Sequence, residues 1–265
     1  MENSSLNHTE NHKTEEKETK RTPIKQRKKE NEVLRFIREH IRYFAAGALV
    51  VVLILVLAMC AKPKGSDSDV VVNANATEST QATEEAYQVD ANENINALIT
   101  QYYTAYAAGD VTTLSSIATP ISANEQSYIG LFSQYVDEYQ NIKCYTKTGL
   151  DANSYLVSVS MEIKFTGVDT TAPGLDFFYV RTNDDGTLYI DNLYSQYNLA
   201  NQENALDTSV QSLIGQFESE SDVVELQSEV QTRYDEALAA DENLANMIQT
   251  TIPAAIKDWV SQVAA

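Results

Sequence analysis

The sequence contains few of the side chains that catalyse reactions or bind metal ions. Its three histidines, His8, His12 and His40, all lie in the first 40 residues, so the rest of the chain has no imidazole to act as a base or a zinc ligand. It also has no G-x-S-x-G, P-loop or G-x-G-x-x-G motif. These absences argue against the commonest enzyme classes, and we expect no catalytic residues, no metal ion and no cofactor.

Cysteine is equally scarce. The two cysteines are Cys60, at the end of an apolar run, and Cys144, which stands alone in the remaining chain. No intramolecular disulfide can therefore cross-link the region after the apolar run. Cys144 alternates in phase with Ile142, which predicts a buried structural thiol, with a nucleophile as the alternative.

Basic residues are rare after residue 61. Residues 62–265 contain 8 Lys and Arg against 30 Asp and Glu, a net charge of −22, whereas residues 1–61 have a net charge of +3. A surface this acidic repels phosphate groups, so we expect no nucleic-acid partner.

Charge of either sign is absent from residues 43–61, "YFAAGALVVVLILVLAMCA". A helix of this length spans about 28 Å, close to the ~30 Å hydrocarbon core of a bilayer, so a transmembrane helix is predicted. The Lys and Arg residues concentrated in 20–42 place the N-terminus in the cytoplasm and the C-terminus outside. The sequence thus predicts a single-pass cell-membrane protein. Lipidation of Cys60 is the alternative, because Leu57 to Cys60 resembles a lipobox, although Met59 stands where a small residue is usual.

Polar, low-complexity segments flank this span. Residues 1–42 are predicted to be a cytoplasmic basic tail, disordered at first and then a juxtamembrane helix. Residues 62–91 are rich in Ser, Thr, Asn and acidic residues, which predicts a flexible extracellular linker.

Residues 92–200 show the periodicities of a folded α+β domain. Apolar side chains at intervals of three and four predict a first helix: Ile95, Leu98, Ile99, Tyr102, Tyr103 and Tyr106. Gly109 is expected to end this helix, and Asp110 to cap a second. Residues 155–165 alternate with period two, and residues 183–186 form a hairpin turn before another strand. This order predicts helices on one face of a curved antiparallel sheet, with the other face in water.

A family resemblance rests on the stretch "LITQYYTAYAAGDVTTLSSIAT", followed by a third helix and a four-strand meander. This arrangement, over residues 93–198, resembles the opening of the nuclear transport factor 2-like superfamily. The resemblance implies a cone-like domain with a pocket between its first helix and the concave face of the sheet. Similar domains occur as ectodomains of single-span proteins in Gram-positive bacteria. Members include enzymes and ligand-binding domains, so the fold alone leaves the function open.

The tyrosines of the first helix have two interpretations. Core packing is the default for Tyr102 and Tyr106, and the functional alternative is a pocket rim formed by Tyr102, Tyr106, Phe178 and Tyr189. Isomerases of the superfamily use an aspartate base with tyrosine, and Asp176 and Asp191 are the candidate carboxylates.

Residues 201–265 are predicted to form a C-terminal helical hairpin. A D-x-x-E box at Asp222 and Glu225 is expected to cap its long helix, and Pro253 to begin the last one. The hairpin packs either on the cone or on a partner; Trp259, the single tryptophan, is the candidate docking residue.

These features together predict a non-catalytic membrane-anchored protein of the cell envelope. Its acidic ectodomain is expected to bind an envelope protein, a peptide or a small ligand. Two alternatives stay open: a cone-fold enzyme using Asp and Tyr, and a transmembrane sensor or scaffold whose basic tail contacts cytoplasmic partners.

Overall fold

The computed structural model describes residues 85–263, so the predicted tail, the membrane span 43–61 and Cys60 lie outside the described residues. This part of the chain is an α+β fold in which helices surround one mixed six-stranded sheet. The α-helices are α1 (Glu93–Ala108), α2 (Val111–Ile117), α3 (Ala123–Phe132), α4 (Gln196–Asn201), α5 (Thr208–Phe217), α6 (Ser221–Ala240), α7 (Glu242–Asn246) and α8 (Ile252–Val263). No helix between residues 85 and 263 is long and apolar enough to cross a membrane.

The sheet has the strand order β1-β3-β4-β5-β6-β2. Its strands are β1 (Gln88–Val89), β2 (Ala118–Thr119), β3 (Val136–Thr148), β4 (Ser154–Phe165), β5 (Ala172–Thr182) and β6 (Leu188–Asp191). Neighbouring strands are antiparallel except that β2 runs parallel to β6. The sequence predicted a purely antiparallel sheet. This prediction is wrong in one detail, because the two residues of β2, directly after α2, pair in parallel with β6.

Local signals place α1 and α2 as the sequence predicts. The Asn92 side chain accepts hydrogen bonds from two backbone N–H groups of the first turn of α1. Gly109 ends the helix with a φ of 65°, which a side chain would strain. The Asp110 carboxylate then caps α2. The turn between β5 and β6 also follows the prediction, with Gly186 at a φ of 86°.

Both faces of the sheet are covered. We call the face that carries Val157, Val159 and Phe178 the cavity face, and α1 packs on it. The face that carries Leu156 and Tyr179 is the opposite face, and α5 and α6 cover it. The predicted water-exposed face of β4 is thus wrong, because the C-terminal helices bury it.

The C-terminal helices belong to the same packed unit as the sheet. The Asp222 carboxylate accepts hydrogen bonds from the Tyr87 backbone N–H at 3.2 Å and from the Lys147 ammonium at 2.6 Å. The predicted box at Asp222 is therefore wrong: α6 begins at Ser221 after Glu220, without a side-chain cap. The long helix ends at Ala240, and Asp241 caps the separate helix α7.

The ordered fold begins before residue 92. β1 pairs with Tyr145 and Thr146 of β3, inside the segment predicted as linker. The ring centroids of Tyr87 and Phe217 lie 6.1 Å apart. A two-residue strand and one tyrosine are too short to produce a periodic pattern, so the sequence could not reveal them.

Candidate functional site: an aromatic cavity with two carboxylates

A partly open cavity of about 170 Å³ lies beside β5. β6 pairs with β5 only from Val180 to Thr182, so within the described residues the stretch 172–179 has no strand on that side. The cavity lies at this opening, between α1, α3, β5 and the turn after β6. An apolar cavity of roughly 150 Å³ holds one benzene molecule, so this one has room for a small organic ligand.

Asp176 presents a carboxylate to the cavity from β5. It shares the cavity face with Phe178, two residues along the strand. The Tyr103 hydroxyl donates to its Oδ2 at 3.3 Å, and the Phe177 backbone N–H donates to its Oδ1 at 2.9 Å. Burial raises the pKa of Asp176 to about 6, and the two hydrogen bonds oppose this rise. Asp176 is therefore a carboxylate with only neutral partners.

Glu125 is the second carboxylate in the cavity wall. It lies in the first turn of α3, where its backbone N–H donates to Ser122 Oγ at 3.0 Å. Both of its carboxylate oxygens lie 2.9 Å from Asn192 Nδ2. Burial raises the pKa of Glu125 to about 7, against the effect of hydrogen bonds from Asn192 and Ser122. Unlike Asp176, Glu125 also ties α3 to the turn after β6.

Several tyrosine hydroxyl groups in the cavity wall have no protein partner. Within residues 85–263, no hydrogen bond satisfies the hydroxyl of Tyr102, Tyr106, Tyr128 or Tyr139, and all four line the cavity. Tyr128 is only 5% exposed. Burial raises the pKa of each above its ordinary value, so the hydroxyls keep their protons. They can donate or accept hydrogen bonds with whatever occupies the cavity.

The rings of these tyrosines pack into one aromatic cluster. The Tyr102 centroid lies 5.0 Å from that of Phe178 and 5.6 Å from those of Tyr103 and Tyr106. The Tyr103 and Tyr139 centroids lie 4.6 Å apart. Contacts at these distances stabilise the wall and fix the ring positions. The two interpretations of the α1 tyrosines Tyr102 and Tyr106 are therefore compatible, because the rings pack while the hydroxyls line the cavity.

Three of the four residues predicted for the pocket rim lie in its wall. Tyr102, Tyr106 and Phe178 line the cavity, whereas Tyr189 does not. Tyr189 pairs with Arg181 in the β5–β6 register, and its neighbour Ile190 pairs with Val180. Since adjacent strand residues point to opposite faces, Ile190 reaches the cavity and Tyr189 faces away.

The sequence did not single out Tyr128, Tyr139, Glu125 or Asn192 for the site. The capping pattern from Ser122 to Glu125 was available as a signal for the start of α3. Nothing local indicates that Asn192 comes from 67 residues further along the chain to meet Glu125. Asp191, the other candidate carboxylate, lies in the wall but pairs with Arg181 at 3.5 Å.

Trp259 and Cys144 are both buried within the fold. The Trp259 indole is 8% exposed, and its Nε1 donates to Ser127 Oγ at 2.9 Å. It packs against Tyr128 behind the cavity, so α8 presents no exposed indole for docking. Cys144 is a buried free thiol, as predicted, and burial raises its pKa to about 12. In residues 85–263, no three potential metal ligands lie close together.

Comparison with known proteins gives no further assignment. No protein-family model matches the chain, and neither a curated protein nor a solved structure is significantly similar to it. The resemblance to the nuclear transport factor 2-like superfamily therefore stays a prediction.

Proposed function

We propose that this protein is a non-catalytic, membrane-anchored receptor whose cavity binds a small organic ligand. The observation that carries this proposal is the set of polar groups that line the cavity: four tyrosine hydroxyls without protein partners, together with the Asp176 carboxylate, which has only neutral ones. These hydroxyl oxygens are not fully buried: they reach the open space of the cavity, where water or a ligand can form hydrogen bonds with them. A bound ligand would supply the missing partners.

The proposed setting of this receptor follows from the rest of the sequence. Residues 43–61 are the proposed single span, with the N-terminus in the cytoplasm and the acidic domain outside. In this proposal the domain is a cone of the nuclear transport factor 2-like type, carried on a linker, with the C-terminal helices as part of the same module. Protease treatment of intact cells tests the topology. Residues 85–263 should be digested, and their full protection would mean that the orientation is the opposite of the proposed one.

Ligand binding can be tested by blocking the cavity. Met161 lines it from the cavity face of β4, and Leu150 is 51% exposed in the turn between β3 and β4. We expect small aromatic fragments to bind the full-length protein and the Leu150→Trp control but not Met161→Trp. Ligand-observed NMR with the protein in lipid nanodiscs measures this, and circular dichroism checks that both variants fold. If no fragment depends on residue 161, the receptor proposal is wrong.

An acid–base enzyme is the second candidate, and Asp176 is the observation that favours it. Its raised pKa, about 6, suits a general base near neutral pH. It would accept a proton from a bound substrate while tyrosine hydroxyls stabilise the resulting oxyanion. Isomerisation of a small carbonyl compound that Asp176→Asn abolishes, with binding retained, would replace the receptor proposal with this one.

A further inference from the structure

The charged residues that line the cavity are all acidic. They are Glu125, Asp176, Asp191 and Glu218, and no lysine, arginine or histidine lines it. From this distribution, together with the aromatic wall, we infer that the pocket takes a small organic cation: an ammonium group carried on an apolar body. The inference rests on the proposed ligand-binding function and names the chemical class of the ligand.

Asp176 is the counter-ion that such a ligand would meet. Its hydrogen-bond donors are a phenol and a peptide N–H, neither of which carries charge. The arginine closest to Asp176 along the sequence is Arg181. Its side chain is 47% exposed, and its guanidinium contacts Asp191 at 3.5 Å. A carboxylate in a site of low dielectric attracts a cation more strongly than it would in water. An ammonium group in the cavity would therefore supply the positive charge that the protein does not.

The aromatic wall provides the second half of the recognition. Cations bind to the faces of tyrosine and phenylalanine rings within about 6 Å of the ring centroid. The rings of Tyr102, Tyr103, Tyr106, Tyr139 and Phe178 contact one another in the wall, so one small volume adjoins several of them. Phenol oxygens without partners also accept hydrogen bonds from an ammonium group. Rings, hydroxyls and a carboxylate together match both the apolar and the charged part of an amine.

Glu125 adds negative potential without being the primary contact. Its carboxylate already accepts from Asn192. Burial is the main cause of the raised pKa of the Tyr102 phenol, and the charges of Asp176 and Glu125 raise this pKa further. The Tyr102 hydroxyl is therefore within the field of both carboxylates. An ammonium group beside that hydroxyl would interact favourably with the two acids at once.

Other ligand charges and metal ions fit the site less well. An anion would be repelled by the acids in the wall, and a neutral ligand would leave the Asp176 charge without a counter-ion. Calcium and magnesium ions prefer six or more oxygen ligands, whereas the wall is mostly aromatic. The cavity volume of about 170 Å³ limits the body of the ligand to about the size of one benzene ring.

A charge series of equal size tests the inference. The probes are 4-fluorobenzylamine, 4-fluorobenzyl alcohol and 4-fluorobenzoate, titrated by ¹⁹F NMR into the full-length protein in zwitterionic lipid nanodiscs, with empty nanodiscs as the blank. We expect the amine to bind about tenfold more tightly than the alcohol, and the benzoate to be the weakest. Asp176→Asn should reduce the preference for the amine to about twofold or less. Glu229→Gln removes one exposed charge on α6 away from the cavity. This variant should leave the preference for the amine unchanged.

The outcomes separate this inference from the proposed function. If the alcohol and the amine bind equally well and both depend on residue 161, the pocket is a receptor but not for cations. If the amine preference survives in Asp176→Asn, the attraction comes from the acidic surface at large and the inference is wrong. If Met161→Trp changes the binding of none of the three probes, the ligand-binding proposal itself fails.

Discussion

On the opposite face of the sheet, the Lys147 ammonium contacts the Glu220 and Asp222 carboxylates at 2.5 and 2.6 Å, whereas on the cavity face the Asp176 carboxylate meets only neutral donors. Lys147 is 3% exposed and its cation also lies 4.6 Å from the Tyr87 ring centroid. The charges of the opposite face are thus paired inside the chain. The Asp176 carboxylate of the cavity face has no such pair within residues 85–263.

The tyrosines of the two faces differ in the same way. The Tyr87 hydroxyl lies 2.9 Å from Ser158 Oγ on the opposite face, and Arg233 pairs with Glu162 there. On the cavity face, the hydroxyls of Tyr102 and Tyr106 have no partner within the described residues. We interpret the opposite face as the surface that fastens the C-terminal helices, and the cavity face as the surface adapted for a ligand.

The largest expected effect comes from breaking the ion pair of the opposite face. Lys147→Ala should lower the free energy of unfolding by about 3 kcal/mol, because it leaves two partly buried carboxylates without their cation. Lys147→Met keeps much of the apolar stem and should lose less, which separates charge from packing. Urea unfolding of the full-length protein, followed by the fluorescence of its single buried tryptophan, measures both. Unchanged stability in Lys147→Ala would contradict a fastening role for this face.

Removing the charge of Asp176 should raise the free energy of unfolding, whereas Lys147→Ala should lower it. The folded protein holds the pKa of Asp176 at about 6, above its ordinary value of 3.8, so it binds more protons than the unfolded chain between these pH values. Stability is therefore lost as the pH rises through that range. The surrounding Tyr102, Tyr103 and Tyr139 stay neutral there, since burial raises the pKa of each.

Asp176→Asn should therefore gain about 2 kcal/mol at pH 7 and almost nothing near pH 4. Urea unfolding at the two pH values measures the difference. An equal gain at both pH values would mean that packing rather than charge causes it.

A matched pair of hydroxyl deletions compares the two faces directly. Tyr87→Phe should cost about 1 kcal/mol, because the Ser158 hydroxyl loses its partner. Tyr102→Phe should change the stability by less than about 0.5 kcal/mol, because no protein hydrogen bond is lost. Thermal unfolding of both variants measures this. Equal costs would remove the distinction between the faces.

The smallest effect is expected from adding a methyl group next to the cavity. The new Cβ of Gly174→Ala would meet the sulfur of Met161, a flexible side chain that lines the cavity and can move into it. We expect a loss below about 1 kcal/mol together with a smaller cavity. Gly149→Ala is the contrasting variant, because its Cβ would meet the Ser154 backbone carbon at 2.7 Å. A Gly174→Ala loss as large as that of Gly149→Ala would mean that the cavity wall is rigid.

The parts of this structure that the sequence predicted correctly depend on neighbours a few residues apart. Gly109 ends one helix and Asp110 caps the next through contacts within one turn, and Gly186 supports a turn of four residues. The period-two pattern of β4 also predicted that strand correctly. Of the rim residues, Tyr102, Tyr106 and Phe178 lie in the cavity wall.

The errors concern partners that are distant in sequence. Tyr189 was assigned to the wrong face, because a shift of one residue in strand register reverses every side chain. Asp222 looks like a helix cap, yet it binds Lys147 from a strand 75 residues earlier. The second face of β4 was expected in water because its pattern is polar, and helices from the end of the chain cover it.

By itself, the sequence determined where α1 ends and α2 begins, where β4 lies, how acidic the domain is and which residue types it lacks, because these properties need no distant contact. Only the tertiary structure decided that β5 keeps an unpaired edge and that α1, α3 and this edge enclose a cavity. It also decided that Asp176 has no cationic partner there, while Lys147 has two acidic ones. Burial and charge pairing depend on which surfaces meet in space, and the chain specifies those meetings only through the whole of its fold.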